Sequence, residues 1–206
     1  MKNKLAFREY YKRRLPHIQI AGATYFITFR LANSLPIEAL EKLTEERRQI
    51  NKLSESQKES AHRTWFAKYD DYLDQALHGN LFLKNEQVAD MVAASIQFRD
   101  GKVYDLIAYC IMLNHVHLVC TPLEKSVGIY FGLTEILHSL KRHTAREANK
   151  ILQRNGAFWQ DESYDHFIRD DAELERVVKY VLYNPVKANL VQEQTDWKWN
   201  HCKHEM

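Results

Sequence analysis

Two imidazoles and a phenol are the groups in this sequence whose spacing permits chemistry. His115-Val116-His117 stands in an apolar stretch with Leu118 and Val119. In a β-strand residues i and i+2 face the same side, so both rings would project together from one face. Two neutral imidazoles at that separation can hold one divalent metal ion. The competing reading is two surface histidines, because a chain with ten histidines produces H-x-H by chance often enough. The second pair is Tyr180 and Asn184, spaced i and i+4 and so on one face of a helix. Leu174, Val177, Val178 and Val181 form the side that packs on a sheet. Here the competing reading is a tyrosine flanking the core and an asparagine capping the helix.

These groups need elements to position them. Residues 23–30 (ATYFITFR) form a predicted strand after Gly22, with Tyr25, Ile27 and Phe29 on one face and Thr24, Phe26 and Thr28 on the other. From Pro36 to about Gly79 the chain turns charged and helical in pattern, with Leu40, Leu43, Arg47 and Ile50, then Trp65, Tyr69, Tyr72 and Leu73. It reads as a pair of helices inserted at 37–79 in one domain. A core helix is predicted over 84–99, with strands over 103–112 and 115–120 joined at Leu113-Asn114. A helix over about 127–150, a strand between Phe158 and Ile168, and a helix from the Asp170-Asp171 cap to about Tyr183 complete the order, with Pro185 as the helix stop. The alternation predicts an α+β domain, ferredoxin-like or RRM-like, with an antiparallel sheet and helices on one face plus the helical insertion. The whole of 1–206 is read as one domain behind a basic leader, 1–21.

Composition limits what such a domain does. The chain has 206 residues, 45% hydrophobic and 27% charged, with a net charge of +2. That is the profile of an ordered globular protein. No apolar run is long enough for a membrane helix and the first residues carry no signal-peptide core, so a cytoplasmic protein without a membrane partner is expected. Cys110, Cys120 and Cys202 form no C-x-x-C motif, and reduced thiols are expected. Positive charge collects at Lys12, Arg13 and Arg14 in the leader and at Lys141, Arg142 and Arg146 downstream. Both patches fit phosphate contacts, and equally the solvated faces of helices. No Gly-rich phosphate loop is present, so no nucleotide cofactor is expected. His201-Cys202-Lys203-His204 has zinc-ligand residue types but reads as incidental.

The sequence also resembles a known family. Met112-Leu113-Asn114-His115-Val116-His117 is similar to the M-P-N-H-V-H segment of HUH single-strand transposases, the insertion-sequence-200-like group. More specifically it resembles the REP-associated tyrosine transposases. Their hallmarks recur as Leu15-Pro16-His17, residues 22–30 (GATYFITFR), 141–149 (KRHTAREAN), 158–166 (FWQDESYDH) and 180–190 (YVLYNPVKANL). The match runs in order through almost the whole chain. Leu113 departs from the family's proline and Asn189 from its glycine, and neither change removes a reactive group.

The resemblance implies Tyr180 as nucleophile, with His115, His117 and Asn184 as ligands of Mg2+ or Mn2+. Tyr164 is the rival nucleophile, and His166 a candidate supporting or DNA-contacting residue. It further implies cleavage and rejoining of single-stranded DNA beside hairpins, the repetitive extragenic palindromes. The intermediate would be a 5′-phosphotyrosine, and the enzyme a monomer or small homo-oligomer. Three other readings stand beside this one: a hairpin-binding protein that no longer cuts, an HUH replication initiator or relaxase, and an unrelated metallohydrolase in which water attacks.

Overall fold

A computed structural model describes residues 20–76 and 78–203, with the backbone of 10–12 and 16–18. The first elements are a short antiparallel pair, β1 (Tyr10–Lys12) and β2 (Pro16–Ile18). Then come β3 (Tyr25–Arg30), the helices α1 (Ile37–Ile50) and α2 (Glu55–Asp74), a 3-10 turn at Phe82–Lys84, and α3 (Glu86–Gln97). Strands β4 (Tyr104–Ile111) and β5 (His115–Pro122) follow, then a small hairpin of β6 (Glu124–Ser126) and β7 (Ile129–Tyr130). Helix α4 (Leu133–Ile151), β8 (Tyr164–Phe167), α5 (Asp171–Lys187), a 3-10 turn at Gln194–Asp196 and β9 (Asn200–Cys202) complete the order. Five strands form one antiparallel sheet in the order β8-β3-β5-β4-β9.

The expected α+β architecture is present, and the sheet carries two cores. On one face Tyr25, Ile27 and Phe29 of β3 and Val116 and Leu118 of β5 meet Val88, Val92 and Ile96 of α3 and Ile136 and Leu140 of α4. The helices expected on one face are α3 and α4 here, whereas α5 lies on the other face because Phe26, Ala108 and Val119 make that side apolar too. The opposite face, with Phe26, Ala108, Cys110 and Val119, is covered by α5 through Val178 and Val181 and by the α1–α2 hairpin through Leu43, Trp65, Tyr69 and Leu73. Covering both faces explains why β4 is so nearly apolar throughout: there is no solvent side for polar residues to take.

Two local expectations are corrected. The helix predicted over about 127–150 starts only at Leu133, because Gly128 at φ +72° turns the chain back and residues 124–130 pair as the β6–β7 hairpin. Pro185 does not stop α5, which runs through it to Lys187. A proline costs the helix one hydrogen bond, but the stop comes from the residues after it. The Leu190 amide donates to the Pro185 carbonyl and the Asn189 amide to that of Val186, both at 2.9 Å. Asn189 sits at φ +55°, the left-handed residue of a Schellman turn.

Candidate active site

The site grows from the start of β5. Register places Thr28 opposite His117 and Arg30 opposite His115, so both imidazoles emerge on the sheet face covered by α2 and α5. Asn114 orients the first ring. Its amide nitrogen donates to the Leu73 carbonyl at 3.0 Å, which leaves Oδ1 to accept from His115 Nδ1 at 2.7 Å. His115 therefore carries its proton on Nδ1 and presents a lone pair at Nε2. For His117, Thr28 Oγ1 lies 2.8 Å from Nδ1, and the Asn184 amide donates to Nε2 at 3.1 Å. Its Nε2 is thus an acceptor as well. The two Nε2 atoms face each other at 3.0 Å, two lone pairs across a gap that a cation would bridge.

Two further elements close on this pair. Helix α5 brings Tyr180 and Asn184, one turn apart, and α2 brings Asp70. The Tyr180 hydroxyl donates to Asp70 Oδ2, which also accepts from Asn184 Nδ2 at 3.2 Å. Asp70 Oδ1 lies 3.4 Å from His117 Nε2 and 3.9 Å from His115 Nε2. His115, His117 and Asp70 have 0% exposure and Asn184 1%. Asp70 Oδ1 and Asn184 Oδ1 are buried acceptors with no hydrogen-bond partner. Oxygens left in that condition beside two imidazole lone pairs fit a divalent cation, and the buried Asp70, His115 and His117 group can hold one.

The electrostatics follow from burial. His115 is pushed down to about 3, by desolvation first and by the Lys187 charge second. His117 is held well below the usual histidine range by the same burial, then by His115 and Lys187. Both rings are neutral at physiological pH, the form a metal ion needs. Desolvation raises Asp70 well above the carboxylate range, with Asp74 adding to it, and raises Asp74 to about 6. Lys187 sits 3.1 Å from Asp74 and 2.7 Å from Asp71.

The structure thus gathers His115, His117, Tyr180 and Asn184. Asn184 is buried three residues inside α5 rather than at its cap. Tyr164 lies under the α1–α2 hairpin, stacked on Phe66 at 4.3 Å with Arg47 5.7 Å above its ring, and burial raises its phenol. His166 pairs with Glu173 at 3.0 Å. Lys141 bonds the carbonyls of Gln160 and Asp161 and the Ser163 hydroxyl, pinning the 160–163 segment to α4. With Arg142 it lines a cleft of about 320 Å³ on the α4 side of the sheet, away from the histidines. Arg146 pairs with Glu147 at 2.8 Å. Arg13, Arg14, the side chain of Lys12, Leu15 and His204 lie outside the described residues. His201 stacks on Tyr109 while Cys202 packs into the α5-side core, so these neighbours diverge.

Sequence reasoning missed Asp70, Asp74 and the two orienting groups, Thr28 and Asn114. Asp70 carried a signal: it lies four residues after Phe66 and three before Leu73, a carboxylate on the apolar face of its helix.

A family model described as "Transposase IS200 like" matches residues 60–184, more than half of the chain. The chain belongs to the IS200-like transposase family. It is 31% identical over 103 residues to a putative REP-associated tyrosine transposase of Haemophilus influenzae. That match takes in 47% of this chain and spans 58% of the relative's length. The fold is similar to that of a solved REP-associated tyrosine transposase bound to a REP hairpin, with a TM-score of 0.53 and 17% identity. The likeness covers 92% of this chain and 80% of that one. Among the described residues no helix is long and apolar enough to cross a membrane.

Proposed function

We propose that this protein is a metal-dependent endonuclease and strand transferase that cuts single-stranded DNA beside hairpins of the repetitive extragenic palindrome type. Residues 1–206 would act as one domain, with Tyr180 as nucleophile. The observation that carries this reading is convergence: the Tyr180 hydroxyl, the Asn184 amide and both imidazole Nε2 atoms meet at one buried point. His115 and His117, with Asn184 turned to offer its free Oδ1, would hold Mg2+ or Mn2+. When bound, such an ion supplies Lewis-acid polarisation of the scissile phosphate.

The chain's own residues do the rest. The Tyr180 oxygen attacks phosphorus in line, the bond to the 3′ oxygen breaks, and that oxygen takes a proton while the phenol loses one. One phosphodiester replaces another, so the freed 3′-hydroxyl can reverse the step, and no nucleotide is consumed. Asn114 and Thr28 hold the imidazoles in the tautomer that faces the site. Tyr164 has the weaker claim as nucleophile, because its ring is engaged with Phe66 and its phenol is harder to ionise.

The test is a denaturing-gel adduct assay with end-labelled hairpin oligonucleotides drawn from palindromic repeats flanking the gene, in Mn2+. Wild type and Tyr164→Phe are expected to retain label, and Tyr180→Phe to lose it. Loss only with Tyr164→Phe would move the nucleophile to β8. Tight hairpin binding with no adduct in wild type would leave a binding protein in place of the enzyme.

A further inference from the structure

The α1–α2 hairpin covers the histidine pair and brings Asp70 to it. The ligand nitrogens and Asn184 are almost fully buried, and what lies over them is α2. Tyr180 is partly exposed, but the two imidazoles beside it are fully covered, so the phosphate of a polymeric substrate cannot reach them while α2 lies where it does. Asp70 offers a carboxyl group with two oxygens, one bonded to the Tyr180 hydroxyl and the other facing both imidazoles. Those are the partners that a phosphodiester under attack by Tyr180 would need.

The closure carries a polar cost. Its interface buries groups that water would serve better: Arg47 Nε and Nη1 have no hydrogen-bond partner there. The Arg47 guanidinium lies over the rings of Trp65 and Tyr164. Against the rest of the fold the hairpin also packs Leu43, Trp65, Tyr69 and Leu73, sets Phe66 against Tyr164 and Phe26, accepts from Asn114 at the Leu73 carbonyl, and pairs Asp71 and Asp74 with Lys187. The two stems approach at Gly79, where a Cβ would come 2.0 Å from the Asn33 carbonyl oxygen. Asn33 and Gly79 both have positive φ, +60° and +78°. Stems that touch let the hairpin turn about a single junction.

We propose that the α1–α2 hairpin is a lid, closed in this structure, whose Asp70 side chain holds the place of the scissile phosphate and must leave with the lid before a phosphodiester can sit between Tyr180 and the two histidines. This rests on the reading of Tyr180 as nucleophile, but lid motion can be measured without cleavage. Native-state hydrogen exchange should show amides of residues 66–74 exchanging at least about 100-fold faster than those of β4 and β5, through an opening that leaves the sheet intact. Phe66→Ala and Asp71→Ala should each raise the α2 rate several-fold and leave the sheet rates unchanged. A hairpin oligonucleotide with a single-stranded flank should raise it further, and in the adduct assay both variants should react faster than wild type. Helix α2 exchanging in step with β4 and β5, oligonucleotide protecting rather than freeing it, or slower adduct formation by both variants would each overturn the lid. No adduct from wild type would instead sink the tyrosine chemistry, and the exchange rates alone would then decide the lid.

Discussion

Asn114 has no contact with a reacting atom, yet it determines which nitrogen of His115 is available. Its amide is fixed from both sides, donating to Leu73 and accepting from His115. Groups that orient a metal-binding histidine commonly contribute about 10- to 100-fold in metal affinity. Asn114→Ala is therefore expected to weaken Mn2+ binding by that order in a calorimetric titration, with Thr28→Val weaker in the same direction through His117. Unchanged affinity in both variants would mean that the imidazoles are oriented by packing alone. The residue scale also shows where sequence reasoning stopped. His115-Val116-His117 and Tyr180-Asn184 announce themselves because each pair is local, two or four positions apart. Asp70 comes from a helix that meets β5 only in the folded chain, and no spacing within the sequence relates it to His117.

Helix α5 is where element-scale physics decides the geometry, since it must end without moving Tyr180 and Asn184. Asp170 caps its start, accepting from the Glu173 amide at 2.7 Å, and Asn189 ends it in the left-handed region. Asn189 stands where the family resemblance implies glycine, and the observed φ explains why asparagine is tolerated there. Asn189→Ala is expected to cost about 1 kcal/mol in urea denaturation, the order of the left-handed penalty. Asn189→Gly should stay within a few tenths of a kcal/mol of wild type, as roughly expected of the residue most used there. Equal stability of all three proteins would show that the turn does not set the helix end. The elements legible in advance were those with a strong internal period: β3, β4, β5, α3 and α5. The β6–β7 hairpin was not, because its strands are three and two residues long and too short to show alternation. Strand β9 was missed for a related reason. It is held as an edge by Trp197, which donates to the Ile111 carbonyl, and Asn200, which donates to that of Leu182, both distant in sequence.

At the scale of the whole molecule, the buried centre ties folding to protons in two opposing ways. A histidine whose folded pKa is depressed adds stability above about 6.5, lost as pH falls, because the unfolded ring takes up a proton the folded one refuses. His115, at about 3, and His117 behave so. A carboxyl whose folded pKa is raised adds stability at low pH that is lost as pH rises through its folded value, which for Asp74 is about 6. Asp70 acts in the same direction. Between about pH 4 and 6 the metal-free folded chain therefore holds carboxyl protons while the unfolded chain holds imidazolium protons, and the contributions of this centre cancel. Removing a group from either side exposes the other. In EDTA, stability of Asp74→Asn should rise with pH across this window relative to wild type, with a slope of up to about 1.4 kcal/mol per pH unit for one proton. Stability of His115→Gln should fall with pH by a similar slope, because the folded state then binds the excess proton. Urea unfolding at several pH values across the window measures both. Parallel pH dependences for wild type and the two variants would mean that water reaches these groups in the folded protein, and that the centre is not sealed as the structure has it.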